Sequence, residues 1–280
     1  MNVLLFGSNG GLGSIIVKEF KQSGLSVDSV ERADYDIVEN NEFKINRIFK
    51  KKYDYIINCA AFIGINECEK KRREAYLVNS RFLKILSKYS RLCNSKLIHF
   101  STDNVFECLV ANEDHSENGE ACPTSWYGLT KLMGEYELIE NRDALIIRLP
   151  MLMSADRGNR KFTVNKLLSD LVENKEVVAF NDIYNTPILV EEMAPIIYNI
   201  IMSNKISSNL IHITGDKTLS IYDLLLQLCD ARGIDSKKIQ SKSIDDFVIG
   251  HRKPKAGGLD SVKFQKLRFD DMLNRFSKRS

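Results

Sequence analysis

The stretch Asn2-Val3-Leu4-Leu5-Phe6-Gly7-Ser8-Asn9-Gly10-Gly11-Leu12-Gly13 decides the fold. Asn2–Phe6 is an apolar run of strand length, closed by a glycine. From Ser14 to Ser23 the apolar residues Ile15, Ile16 and Phe20 recur at helical spacing, and Gly24 stands where a helix end takes a left-handed residue. Leu25–Val30 predicts a second strand. The chain therefore opens as strand, glycine-rich turn, helix, strand, a βαβ unit.

The alternation continues outward from there. Tyr53–Ala61, Lys96–Ser101 and Ala144–Leu149 read as buried strands, and Glu69–Arg91 and Tyr127–Glu140 as helices. Such alternation predicts a doubly wound parallel sheet with right-handed crossovers. After Pro150 the pattern changes. Arg157–Lys161 is polar, Val164–Glu173 helical, Val177–Phe180 a short strand, Glu191–Met202 a helix and Leu210–Gly215 a strand into a turn. Ser220, with Asp223 three residues on, opens a helix over Ile221–Arg232 in the manner of a capping box. The expected architecture is α/β: a Rossmann-type doubly wound parallel sheet with a smaller α/β C-terminal substrate lobe. Residues 1–155, with a returning segment at about 177–204, form the dinucleotide-binding domain, and 156–176 with 205–280 the lobe.

Composition narrows the function. Among 280 residues, 40 Lys+Arg stand against 37 Asp+Glu, a net charge of +3. That balance is too even for a protein whose partner is a nucleic-acid backbone. The runs Lys50–Lys52 and Lys70–Arg73 have acids nearby and read as solvated faces. No apolar run approaches the ~18–20 residues of a membrane span, and the N-terminus lacks the basic and cleavage regions of a signal peptide. The six cysteines carry no C-x-x-C spacing, which suggests neither a metal site nor a secreted disulfide framework. A cytoplasmic, reducing setting is the expectation. His99 lies in an apolar strand and reads as a satisfied core residue; the other histidines lack metal spacing.

Gly7-x-x-Gly10-x-x-Gly13 between strand and helix is the context of a phosphate-binding turn. Glycines admit a pyrophosphate close to the backbone, and the helix N-terminus offers free N–H groups. At the end of the second strand, Glu31 would accept ribose hydroxyls and Arg32 would pair a 2′-phosphate, so NADH and NADPH both stay open. Tyr127 and Lys131 stand at i, i+4 on one helix face. An ammonium one turn from a phenol favours phenolate, and such a tyrosine can exchange a proton with a carbonyl oxygen. Ser101-Thr102-Asp103, ending a strand upstream, would bring hydroxyl donors to the same pocket.

Taken with Asn58-Cys59-Ala60-Ala61, Val78-Asn79, Ser101–Phe106 and Tyr127–Glu135, these motifs resemble an extended short-chain dehydrogenase/reductase. More narrowly, the chain resembles the dTDP-4-dehydrorhamnose reductase family. Asn185-Thr186-Pro187, Arg252-Lys253-Pro254 and Leu259-Asp260 extend the likeness to about residue 260. The resemblance implies an NAD(P)H-dependent reductase of a nucleotide-linked 4-keto-6-deoxy sugar, a dTDP-sugar first, serving bacterial surface polysaccharide synthesis; a homodimer is left open. Tyr127 would protonate the C4 oxygen, Lys131 would bind the nicotinamide ribose and tune Tyr127, and Thr102 would hydrogen-bond the carbonyl. Ala60 and Ala61 would line the coenzyme and Asp36 and Ile37 would lie by the adenine, with Asn9, Gly11, Leu12, Cys59 and Asn79 also on the coenzyme side. Asp103 would shape the active-site loop and, with Asn104, Val105, Met151, Asn185 and Arg252, belong to the substrate side. No metal is implied.

Departures lie on that substrate side. Asn104 replaces an aromatic residue, and Arg148-Leu149-Pro150-Met151 stands where Arg-Thr-Ser-Trp is frequent. Two other readings compete. An epimerase or dehydratase would need an additional acid/base pair, whereas Asp103 is followed by Asn104. A regulatory subunit would bind coenzyme and a partner enzyme without turnover, and would have no need of Thr102, Tyr127 and Lys131 together.

Overall fold

The computed structural model describes residues 1–106, 115–156, 159–203, 208–247 and 257–278. Its main sheet contains β1 (Asn2–Phe6), β2 (Ser26–Val30), β3 (Tyr55–Asn58), β4 (Lys96–Thr102), β5 (Ala144–Leu149) and the strand Leu210–His212. β1 lies between β2 and β3, followed outward by β4, β5 and Leu210–His212. β1 pairs in parallel with both β2 and β3, and β3 with β4. Val3–Phe6, Tyr55–Asn58 and Leu97–Thr102 are all buried, as strands covered on both faces must be. The strand order reverses between β1 and β3. Their carboxyl ends therefore frame the crevice where open parallel sheets bind ligands. Register sets Phe6 opposite both Val30 and Asn58, so the glycine turn, the Glu31 segment and Cys59–Ala61 leave the sheet side by side.

The chain divides into two units. The first comprises Met1–Val105, Ser125–Arg148 and Glu192–Ile211. Its core includes Leu4, Phe6, Ile56, Phe82, Leu86 and Leu97. The second comprises Phe106–Thr124, Leu149–Glu191 and His212–Ser280, with a core including Leu168, Leu171, Leu224, Leu228 and Phe276. Val177–Phe180 pairs in parallel with Ile239–Lys242, and this ladder keeps residues 177–191 in the second unit. Only Glu192–Ile211 returns to the first. Ser220 caps the helix Ile221–Arg232, its Oγ accepting from Asp223 N at 3.0 Å, and Gly233 ends it at φ +64.

The stretch expected as one helix over Glu69–Arg91 is broken into Ile65–Lys70, Arg72–Tyr76, a π-helical turn Leu77–Arg81 and Phe82–Cys93. The π turn contains Asn79, which is fully buried and whose carbonyl approaches Gly134 so closely that a Cβ there would lie 2.2 Å away. Inserting a residue into a helical turn re-aims a backbone group, here toward the helix Trp126–Tyr136. Cys122 is disulfide-bonded, while Cys59, Cys68, Cys93 and Cys229 are free thiols. That one bridge departs from the fully reduced set a cytosolic setting suggests. Among the described residues no helix is long and apolar enough to cross a membrane, and no cluster of three or more His, Cys, Asp or Glu is placed to hold a metal ion.

Candidate active site

α1 (Gly11–Gln22) starts after Gly10, which offers no side-chain cap. The first intrahelical bond is donated by Ser14 N to Gly10 O, so the N–H groups of Gly11, Leu12 and Gly13 have no acceptor within the helix. Gly7 has φ +79, and a Cβ on it would meet Ala60 N at 2.6 Å; one on Gly13 would meet Gly7 O at 2.2 Å. Only glycine permits this packing of turn against β3.

Above the turn lies a cavity of about 570 Å³ within the first unit. Gly7, Ser8, Asn9 and Gly10 form one wall, Glu31, Arg32, Asp36 and Ile37 a second, and Cys59, Ala60 and Ala61 a third. The buried Ser8 Oγ has no hydrogen-bond partner among the described residues, which suits a ligand's polar group. A glycine cradle, free amides at a helix start, an orphaned hydroxyl and an acid at the second strand's end fit a dinucleotide. Tyr35, Phe62, Lys71, Glu74 and Val78 also line the cavity. Lys71 and Glu74 reach it from a helical segment that only the fold brings near, whereas Tyr35, Phe62 and Val78 adjoin residues the motifs already mark. Asn79 does not line it. Its Oδ1 accepts from Phe62 N at 2.8 Å, and its Nδ2 donates to Phe62 O and Thr130 Oγ1 at 3.0 and 3.1 Å. Asn79 thus ties the cavity wall to the helix Trp126–Tyr136. Arg32 Nε donates to Asp36 Oδ2 at 2.9 Å. Burial raises the Asp36 carboxyl, but Arg32 and the Val38 N–H outweigh it and hold the group low.

Ser125 Oγ caps the helix Trp126–Tyr136 by accepting from Gly128 N at 3.0 Å, and Glu69 Oε1 accepts from Trp126 N at 2.8 Å. Tyr127, half-buried, is thereby fixed in the first turn. At the end of β4, Thr102 Oγ1 donates to Asp103 Oδ1 at 3.1 Å and accepts from Asn104 N and Nδ2 at 3.2 and 3.1 Å. Asn104 thus holds the Thr102 hydroxyl. Val105 is fully buried, a core side chain beneath the loop.

Lys131 is 2% exposed. Its Nζ donates to Phe100 O at 2.6 Å and lies 3.2 Å from His99 Nε2. Burial pulls its pKa down to about 8, against the raising influence of Glu135 and Cys59. His99, fully buried, is held well below the usual histidine range by burial and then by the Lys131 charge. His99 is thus a satisfied core residue, but one attached to the site. An unfolded lysine keeps its proton to about pH 10.5 and the folded Lys131 only to about 8. Between those values the unfolded state binds more protons, so Lys131 lowers stability below pH 8 and the penalty, about 3 kcal/mol, fades as pH rises to 10.5. Lys131→Met is expected to stabilise the protein at pH 7 by about 2 kcal/mol, after about 1 kcal/mol for the lost hydrogen bond. Denaturant midpoints at pH 7 and 10.5 check this; an equal difference at both values contradicts it.

In the second unit, Met151 N donates to Asn185 Oδ1 at 2.8 Å. Thr186 Oγ1 shares a hydrogen with Thr214 Oγ1 at 2.6 Å and donates to Leu259 O at 3.2 Å. The two late motifs thus meet there. Arg252 lies outside the described residues.

Known proteins are similar to this chain over most of its length. The model of the RmlD substrate binding domain family matches residues 1–277. The probable low-salt glycan biosynthesis reductase Agl14 of Haloferax volcanii is 26% identical over 93% of this chain and 90% of its own. Methionine adenosyltransferase 2 subunit beta of Rattus norvegicus is 25% identical over 95% and 82%. The crystal structure of a dTDP-4-dehydrorhamnose reductase from Clostridium acetobutylicum superposes with a TM-score of 0.86 at 26% identity, covering 99% of this chain and 98% of that one. With the glycine cradle, the Tyr127–Lys131 helix and a family model spanning both units, the chain belongs to the RmlD substrate binding domain family.

Proposed function

We propose that the protein is an NAD(P)H-dependent reductase that converts the 4-keto group of a nucleotide-linked 6-deoxy sugar to a hydroxyl, in the synthesis of a surface polysaccharide. One observation carries the reading. The dinucleotide cradle and the triad Thr102, Tyr127 and Lys131 belong to one unit, joined through β4 and the helix Trp126–Tyr136. The glycan reductase and dehydrorhamnose reductase relatives support the substrate class.

The coenzyme, held by the Gly7–Gly13 turn, Glu31, Asp36 and Cys59–Ala61, supplies hydride when bound. Tyr127 gives its phenolic proton to the carbonyl oxygen as C4 becomes tetrahedral, leaving an alcohol and a phenolate that solvent reprotonates. Thr102 donates to the same oxygen. Its only proton now points to Asp103, so the substrate carbonyl takes the place of that carboxylate. Asp103, Asn104, Met151, Asn185 and Arg252 are assigned to the substrate side, a dTDP-sugar first.

Incubation with reduced coenzyme and a panel of dTDP-, UDP-, GDP- and CDP-linked 4-keto sugars tests the reading. Oxidation of coenzyme with at least one of them is expected. Coenzyme binding without turnover of any would sink the proposal. Similarity to the methionine adenosyltransferase subunit favours a second reading, a coenzyme-binding regulatory subunit. Copurification with a larger enzyme whose activity is indifferent to Tyr127→Phe would select it.

A further inference from the structure

Five residues lining the dinucleotide cavity are charged: Arg32 and Lys71 against Glu31, Asp36 and Glu74. They are not equally available. Arg32 Nε donates to Asp36 Oδ2 at 2.9 Å, and Asp36 Oδ1 accepts from Val38 N at 2.8 Å. Glu31 differs. Its N–H donates to Asp34 Oδ2 at 2.9 Å, and its carbonyl accepts from Asp34 N and Tyr35 N, each at 3.0 Å. Tyr35 is 2% exposed and anchors this turn in the core of the first unit. Among the described residues the Glu31 carboxylate has no hydrogen-bond or ion-pair partner. A pinned backbone thus presents an exposed, uncommitted carboxylate to the cavity directly after β2. Asp34, through its bond to the Glu31 N–H, adds a further negative charge there.

The second cation belongs to a run that the sequence assigns to a solvated face. Lys70 pairs with Glu67 at 3.3 Å and Arg72 with Glu69 at 2.8 Å. Between them Lys71, at φ -121 and ψ 56, leaves helical geometry where Ile65–Lys70 ends and Arg72–Tyr76 begins. Lys71, Glu74 and Val78 follow at i, i+3 and i+7, and all three line the cavity. The Lys71 charge is therefore accompanied by a carboxylate one turn on, and carboxylates outnumber cations on the cavity walls.

We propose that this cavity selects NADH over NADPH, with Glu31 as the specificity-determining residue. The inference rests on the reductase reading above for its part in turnover, and on the cavity alone for binding. The two coenzymes differ at the adenosine 2′ position, a hydroxyl in one and a phosphate in the other. Neighbouring 2′ and 3′ hydroxyls can each donate to the carboxylate that Glu31 offers. A 2′-phosphate removes one of those donors and brings a negative charge to the same place. It would meet Glu31, Asp34 and Asp36 against one guanidinium that Asp36 already holds. Like charges set together reject the wrong partner.

Titration of the coenzyme-free full chain with NADH and NADPH, read by nicotinamide fluorescence without any sugar, tests this. NADH is expected to bind about tenfold or more tightly than NADPH. Calorimetry should show 5′-AMP binding more tightly than adenosine 2′,5′-bisphosphate, a comparison that isolates the adenosine end. In Glu31→Gln, NADH should weaken and NADPH should tighten, so that the ratio of the two affinities falls by about tenfold. Equal affinities in the wild type, or tighter NADPH, overturn the proposal. A ratio that Glu31→Gln leaves unmoved overturns the assignment to Glu31. Where that variant fails to fold, the two wild-type comparisons decide. A preference for NADH with no turnover in the sugar panel removes the reductase reading and leaves the coenzyme selection standing. Turnover with NADPH bound more tightly does the reverse.

Discussion

Tyr127→Phe is expected to lower kcat for reduction by about 10²–10⁴-fold, the range for loss of a positioned general acid. Coenzyme affinity should change little. The Tyr127 side chain lies outside the walls of the dinucleotide cavity, and phenylalanine keeps the ring while removing only the proton to be transferred. Single-turnover oxidation of prebound coenzyme isolates the step, and fluorescence titration of the coenzyme supplies the control. A large loss of affinity with an unchanged rate in the bound complex would mean that Tyr127 holds coenzyme and does not move the proton. Thr102 remains in the variant and still polarises the carbonyl, so residual turnover is expected.

Arg148→Met should destabilise the fold by about 3–5 kcal/mol, the cost of stranding one member of a buried ion pair. Arg148 and Glu135 have side chains only 6% exposed. Arg148 Nε donates to Glu135 Oε1 at 3.0 Å and Nη2 to Oε2 at 2.7 Å, while Ser101 Oγ donates to Oε1 at 2.5 Å. Without the guanidinium, Glu135 keeps, among the described residues, the Ser101 hydroxyl as its hydrogen-bond partner in a buried site. Glu135→Leu combined with Arg148→Met removes the stranded charge, so the double variant should be more stable than Arg148→Met alone. Urea midpoints for the two variants decide the matter. Equal losses would mean that packing, and not uncompensated charge, sets the cost. Such a loss would also loosen the helix that carries Tyr127 and Lys131, so activity should fall with stability.

The glycine turn was legible because its requirement is local. Gly7 needs a left-handed backbone, and Gly7 and Gly13 must leave room for a facing main chain, demands that few other residues meet. Tyr127 and Lys131 were legible for a similar reason, since i, i+4 spacing places them on one helix face whatever the helix packs against. The His99 contact was hidden by its neutrality as a core residue. In retrospect its geometry is readable: His99 and Ser101 alternate onto one face of β4 at about 6.6–6.8 Å. Lys131 and Glu135 stand one helical turn apart at about 6 Å. The two spacings match, and each strand residue meets one helix residue. Nothing in the sequence said that this strand face would meet that helix face.

Alternation of apolar strands with helices, the turn after β1 and the Tyr127 helix determined a doubly wound sheet with a dinucleotide cradle, because each rests on periodicity or backbone geometry within a few residues. Tertiary structure alone decided the rest. It placed residues 177–191 in the second unit through the ladder with Ile239–Lys242, inserted a π turn at Asn79 to meet Gly134, gave Arg148 to Glu135, and set Lys131 against the buried His99. These are choices between partners far apart in the chain, and they follow from which faces are buried against each other, a quantity that no short-range pattern encodes.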